Sequence, residues 1–404
     1  MIPASKTEWR LYNAQIAAGN AVIFGSVHIR DGRILAVEAT GAAEPHHTLS
    51  GEQPSPDHQN DCPAVDAHGG WLLPGFIDIH CHGGSGGDFM DASIPSYEQI
   101  TRFHAAHGTT GMLATSVTAS KPAIERMLAA AASWREQDLS KGARLLGVHL
   151  EGPFISPRWP GAQNPAFITE PNTVWLKQWT ADYPELIKIV TLAPEQPGAT
   201  ELIRFLKSEG IIASCGHTDA SYDVIREAAG AGLQHAVHTF NAMRGLHHRE
   251  PGTAGAVLTM DGISTEIIAD GHHVHEGAIR LLLRCKPADK IILITDAISA
   301  AGLGDGSYEL GGLPLTVEDG VARLQKDGSL AGSTLTMLSA FRFVIEHCGL
   351  SPLEASRLAS TNPARLLGMD DHLGTIAPGM SADMVLLNRH FEHQATWIGG
   401  ELAG

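Results

Sequence analysis

The rhythm of hydrophobic and polar positions changes twice along this chain. Residues 8–40 alternate short apolar runs with turns: Ala21-Val22-Ile23-Phe24, Val27-His28-Ile29, and Ile34-Leu35-Ala36-Val37 beyond Asp31-Gly32. Short apolar runs separated by a glycine-bearing dipeptide predict antiparallel strands, with Asp31-Gly32 as the hairpin turn. Residues 41–61 are rich in Gly, Pro, Glu, His and Asn and poor in apolar side chains. That composition predicts an exposed, mobile loop in which His46, His47 and His58 are solvated.

From Trp71 onward, apolar runs suited to buried parallel strands alternate with amphipathic stretches. The strands are expected at 75–82, 110–115, 145–151, 187–192, 211–217, 235–241, 265–269 and 290–296. Helices are expected at 96–108, 122–137, 200–210, 220–230, 276–284 and 336–348. Eight strand–helix units over this span predict an α/β fold of the (β/α)8 TIM-type barrel class. A doubly wound sheet is the alternative, but no GxGxxG follows the first strand. Short strands resume near the C-terminus, at 374–379, 382–387 and 397–402. They are expected to join the N-terminal strands in a small β-sandwich domain (1–70 plus 373–404) beside a barrel spanning 71–372.

Composition narrows the functional classes. A formal charge of −16 argues against a nucleic-acid or anionic-membrane surface, because both attract basic patches. No apolar run is long enough to span a bilayer. The first ten residues carry Lys6, Glu8 and Arg10 with no apolar segment of the kind a secretory signal needs. Cys62, Cys81, Cys215, Cys285 and Cys348 are scattered and form no CxxC pair. Neither a disulfide framework nor a zinc ribbon is implied, and a reducing cytoplasm is the expected compartment.

Candidate chemistry gathers where the strands end. The first ends in His80-Cys81-His82, whose histidines share one face because strand side chains alternate. Cys81 points the other way and reads as packing, as does Cys215. Later strand ends carry His149 and Glu151, His217, His235 and His238, Asp270 with His272 and His273, and Asp296. In such a barrel the active site lies at these C-terminal ends. Histidines with carboxylates, and no thiolate cluster, suit zinc, iron or manganese in an open catalytic site.

These segments resemble the amidohydrolase superfamily and, within it, the family of N-acetylglucosamine-6-phosphate deacetylases. The resemblance is carried by Gly75-Phe76-Ile77-Asp78-Ile79-His80-Cys81-His82, His149-Leu150-Glu151-Gly152-Pro153-Phe154, Gly216-His217-Thr218-Asp219-Ala220, His238-Thr239-Phe240-Asn241-Ala242-Met243, His248-Arg249-Glu250-Pro251-Gly252, Asp270-Gly271-His272-His273, Thr295-Asp296-Ala297 and Leu330-Ala331-Gly332-Ser333. It runs over essentially the whole chain.

The resemblance implies that Glu151, His217 and His238 bind a main metal. It implies that His80 and His82 complete a second position bridged through Glu151, and that Asp296 is general base and acid and also touches metal. Two divalent ions per subunit (Zn, Fe, Mn or Co) follow, because some relatives lack the His pair and work with one. Many relatives place a histidine at Gln163, so Gln163 becomes the candidate for polarising the substrate carbonyl. Asn241, Ala242, Arg249 and His273 would bind the phosphate of a phosphosugar, and Ala162, Leu330, Ala331 and Gly332 would line the sugar. A homodimer completing the phosphate pocket in trans is implied too. The rival substrate is the galactosamine epimer, and a non-catalytic scaffold on the same fold is the reading from a different class.

Overall fold

Eight short parallel strands lie side by side in chain order: Phe76–Asp78, Thr109–Ser116, Arg144–Glu151, Ile187–Leu192, Ile212–Cys215, Leu233–Ala236, Ser264–Ile268 and Ile291–Ile294. The computed structural model describes residues 8–41, 62–137 and 141–403. The expected 41–61 loop, apart from Gly41, lies outside the described residues, as do the first seven. Helices follow the strands at Ile94–Ala105, Lys121–Glu136, Thr173–Asp182, Ala199–Ser208, Tyr222–Ala231, Gly252–Thr259, Glu276–Cys285 and Met337–Glu346. The protein is thus a mixed α/β fold with a parallel sheet. No helix of the described residues is long and apolar enough to cross a membrane.

The helices form where an apolar stripe meets capping residues. In Ala199–Ser208, Leu202, Ile203 and Leu206 are fully buried, each contributing about 1.5–3 kcal/mol by leaving water. Two helices escaped the periodicity. Thr173–Asp182 buries only Leu176 and Trp179, so its stripe is thin. Gly252–Thr259 is buried on nearly every side and has no polar face to mark a period.

The ends of the first and last parallel strands are joined. Asp78, fully buried, accepts from the Thr295 hydroxyl at 2.6 Å and from the Thr295 and His80 amides at 3.3 Å each. Burial pushes its carboxyl up to about 7 in spite of those donors. Beyond it, the Asp296 amide donates to His80 O at 2.9 Å, the His82 amide donates to Ala297 O at 2.8 Å, and Cys81 and Ala297 form a parallel bridge.

The two termini share a second sheet, ordered Glu401–Leu402, His393–Ile398, Met384–Leu387, Trp71–Pro74, Trp9–Ala18, Ala21–Arg30 and Arg33–Gly41, with Ala64–Asp66 paired to Trp9–Ala18. Trp71–Pro74, which the sequence assigned to the barrel segment, is hydrogen-bonded into this terminal sheet. The Asp31-Gly32 hairpin forms, with both residues at positive φ (51° and 74°), as its short turn requires. Trp9 and Trp397 pack at 5.2 Å between ring centroids at the heart of this sheet's core.

An antiparallel hairpin sheet, Gly306–Leu310, Leu313–Glu318 and Val321–Leu324, follows the last parallel strand and was not expected. Its tight turns at Gly311-Gly312 and Asp319-Gly320 were the available signal.

Thr295→Val removes the hydroxyl that Asp78 accepts and leaves a buried carboxyl short of a donor. It is expected to cost about 1–3 kcal/mol, read as a lowered denaturation midpoint in urea. An unchanged midpoint would show that the clasp between the first and last strands carries no weight.

Candidate active site

The strand ends converge on one buried carboxylate. Glu151 ends the third strand, 1 % exposed. His217 Nε2 lies 3.2 Å from its Oε1, His238 Nε2 3.0 Å and His80 Nε2 3.3 Å. His82 Nε2 lies 3.3 Å from Oε2 and 3.1 Å from Asp296 Oδ1. Two groups of ligand atoms result, each within 4.8 Å: Glu151, His217 and His238, and His80, His82 and Asp296. His217, His238 and Asp296 adopt left-handed φ (46°, 26° and 51°), which turns the chain out of the strand at each site position. That is why the sixth strand stops at Ala236 and does not run on to 241 as expected.

The donor and acceptor inventory fits a cation. His80 Nδ1 faces Glu266 Oε2 at 2.8 Å, His82 Nδ1 faces Thr115 O at 3.3 Å, and His217 Nδ1 faces Trp159 O at 3.0 Å. Carboxylates and carbonyls only accept, so each Nδ1 carries the hydrogen and each neutral ring turns a bare Nε2 lone pair inward. Those lone pairs meet carboxylate oxygens and one another, with His217 Nε2 and His238 Nε2 only 3.2 Å apart. Acceptors crowded against acceptors repel unless positive charge sits among them.

Protons supply that charge when no metal does. Burial disfavours a charged His82, yet Asp296 and Glu151 push it up to about 9. Burial likewise opposes ionisation of Glu151, and His80, His217 and His238 hold its carboxyl well below the usual range. Metal and protons therefore compete for one set of lone pairs.

A cleft of about 400 Å³ opens over the cluster, a size suited to a small metabolite. His82, Glu151, Ala162, Gln163, His217, His238, Asn241, Ala242, His273, Asp296, Leu330 and Gly332 line it, all among the residues expected from sequence. Gln163 is buried within it: Nε2 donates to Glu151 Oε2 at 2.5 Å, and its carbonyl accepts from the Thr118 amide at 2.5 Å. Gln163 is therefore part of the cleft wall and not of the exposed surface. His273 is tied to Asp270 Oδ2 at 2.6 Å.

Two expected residues lie elsewhere. Ala331 is fully buried against the hairpin sheet and gives its amide to Ala322 O, so it does not line the cleft. Arg249 is exposed, 2.8 Å from His248 Nε2, and outside the cleft of its own chain. His149 and His235, both at strand ends, are fully buried and hold neighbours: His149 bonds Ile79 O and Thr191 Oγ1, while His235 bonds Glu266 and Ser264. Cys81 and Cys215 are buried packing residues, Cys81 resting 3.2 Å from His104 Nε2.

Sequence reasoning missed Glu266, a lone charge inside the apolar strand Ser264–Ile268. It also missed Arg158, a guanidinium at the cleft wall paired with Asp219 Oδ2 at 2.7 Å. Asp219 is shared with Arg244, which with Trp159 lowers its carboxyl to about 2.

The amidohydrolase family matches residues 71–403. This chain belongs to it. Among its relatives, the N-acetylglucosamine-6-phosphate deacetylase of Bacillus subtilis (strain 168) is 42% identical over 381 residues, covering 94% of this chain and 92% of the relative. The N-acetylgalactosamine-6-phosphate deacetylase of Escherichia coli O157:H7 is 42% identical over 332 residues, covering 82% and 87%. Among solved structures, a mutant N-acetyl-D-glucosamine-6-phosphate deacetylase from Mycobacterium smegmatis in complex with N-acetyl-D-glucosamine-6-phosphate superposes with a TM-score of 0.88. It is 33% identical, and the match covers 98% of this chain and 99% of that one. Amidohydrolases are generally metal-dependent, in keeping with the two ligand groups of this cleft.

Glu151→Gln removes the charge on which four imidazoles converge. Elemental analysis of the purified variant is expected to find less than about half the metal bound by the unaltered protein, since the neutral amide gives up the anionic ligand that both groups share. Equal metal content would remove Glu151 from the ligand set.

Proposed function

We propose that this amidohydrolase cleaves the acetamide of N-acetyl-D-glucosamine 6-phosphate, releasing D-glucosamine 6-phosphate and acetate. The carrying observation is the pair of ligand groups joined at Glu151, with Asp296 beside them at the wall of a metabolite-sized cleft. Deacetylase relatives at 42% and 33% identity supply the substrate class. The galactosamine epimer is the second reading, favoured by the relative of that name at equal identity.

Glu151, His217 and His238 would hold one divalent ion, and His80, His82 and Asp296 a second, with Glu151 between them. Imidazole and carboxylate ligands suit zinc, iron, manganese or cobalt. When bound, such ions lower the pKa of a water and polarise the acetamide carbonyl. Asp296 is held ionised: burial opposes this, but His80 and His82 pull its carboxyl below the ordinary range. It is therefore a base able to take a proton from the attacking water. The same carboxyl then hands the proton to the departing nitrogen, because an amine leaves an amide poorly unless protonated. The Gln163 amide donates towards the developing oxyanion but cannot carry charge as a histidine could.

Asn241, Ala242 and His273 would meet the phosphate and Leu330 and Gly332 the sugar, a reading supported by their lining of the cleft. Arg249 would reach the phosphate in the partner's cleft of a homodimer, a reading supported by its exposure and its absence from its own cleft. A guanidinium grips a phosphate with two parallel hydrogen bonds. We further infer that the parallel strands close into a (β/α)8 barrel across 71–372. Support comes from the hydrogen bonds joining the ends of its first and last strands. The terminal strands would form a small β-sandwich (1–70 plus 373–404), to which Trp71–Pro74 adds a strand. Five cysteines without a disulfide among those described suit a reducing cytoplasm.

Parallel acetate-release assays on the two 6-phosphate epimers test the function. Faster turnover of the glucosamine compound is expected, and preference for its epimer would install the second reading. Asp296→Asn is expected to lower kcat by about 10²–10⁴-fold with KM changed only a few-fold. Unimpaired turnover would assign the proton transfers elsewhere. Arg249→Ala is expected to raise KM for the phosphorylated sugar by about 10-fold or more while sparing an unphosphorylated analogue. Equal losses on both substrates would remove Arg249 from phosphate binding.

A further inference from the structure

We infer that Glu266, backed by His235, is the positioning residue that fixes the tautomer and direction of His80, and so governs retention of the second cation. This rests on the two-cation reading above.

Glu266 sits in the middle of the strand Ser264–Ile268 with no exposed surface. Both of its oxygens are spent. Oε2 accepts from His80 Nδ1 at 2.8 Å and from the His238 backbone amide at 3.2 Å. Oε1 meets His235 Nε2 at 2.9 Å. One carboxylate therefore touches a ligand from each group, through a side chain in one case and through the backbone in the other.

Behind it, His235 Nδ1 faces the Ser264 hydroxyl at 2.9 Å, and that hydroxyl gives its only hydrogen to Gln234 O at 3.1 Å. His235 is thus engaged at both ring nitrogens, with Nε2 held against the Glu266 carboxyl.

The consequence falls on His80. Neutral imidazole has two tautomers, and only the one with hydrogen on Nδ1 turns a lone pair towards Glu151 and Asp296. A carboxylate at Nδ1 imposes that tautomer, locks the ring plane and makes Nε2 a stronger donor to metal. His82 and His217 are oriented by neutral carbonyls, from Thr115 and Trp159. Among these three rings His80 alone has a full negative charge behind it.

The test compares full-length wild type with Glu266→Gln, which preserves volume but offers one acceptor where two are used. Metal-free protein of each is equilibrated with buffered free Co²⁺, and bound metal is counted by elemental analysis and followed by the visible cobalt spectrum. Wild type is expected to take two ions. The variant is expected to keep the ion at Glu151, His217 and His238 and to bind the other about 10–100-fold more weakly.

Two ions at unchanged affinity in the variant would overturn the role of Glu266 and leave the metal site standing. A single ion in wild type would overturn this inference together with the two-cation reading, and no ion at all would sink the metal site itself. If circular dichroism shows the Gln variant unfolded, Glu266→Asp decides the matter. It keeps the charge but withdraws it from His80 by one methylene, so the same weakening is expected and full affinity overturns the proposal.

Discussion

Four imidazoles and one amide point at Glu151, and every other feature of the cleft follows from keeping that arrangement from flying apart. Lone pairs and carboxylate oxygens within about 3 Å of each other are tolerable only around positive charge. The protein answers in two ways. It fixes three of the rings, His80, His82 and His217, by giving the outer nitrogen an acceptor, and it brings the carboxylates Glu151 and Asp296 close enough to hold a cation or, in its place, protons. The clustering is costly by itself, so it has to be paid for by the surrounding scaffold.

That scaffold is the parallel sheet with its helices. The site residues come from strands far apart in sequence, and their spacing depends on how the first strand meets the last. Asp78 and Thr295 make that junction two residues before His80 and one before Asp296. A shift there would move both residues relative to Glu151. Left-handed backbone at His217, His238 and Asp296 adds strain of about 1–3 kcal/mol at each position, held by packing against large buried cores.

Much of the fold was legible because its signals are local. Seven of the parallel strands fall within a few residues of the apolar runs that marked them, and the Asp31-Gly32 turn needed only its dipeptide. Two misreadings had no local signal to prevent them: Gly252–Thr259 is buried on nearly every side, and the sixth strand was overextended because positive φ at His238 is invisible in composition. In the cleft, the ligands were legible from their places at or just past the strand ends, although all but Glu151 lie beyond the strands themselves, so alternation does not aim them. Gln163 was expected through the family resemblance, but its contact with Glu151 was not, because a loop residue three positions after Pro160 gives no hint of it. Arg158 was missed altogether.

The sequence by itself determined which side chains end each strand, and hence that histidines and carboxylates would share one end of the sheet. Alternation and apolar run length act over a few residues, so they can be read along the chain. Only the tertiary structure decided which nitrogen of each ring faces inward, that Arg249 stands outside its own cleft, and that Glu266 binds His80 across 186 residues. Those outcomes depend on strand order and register, which bring together residues that no local pattern connects.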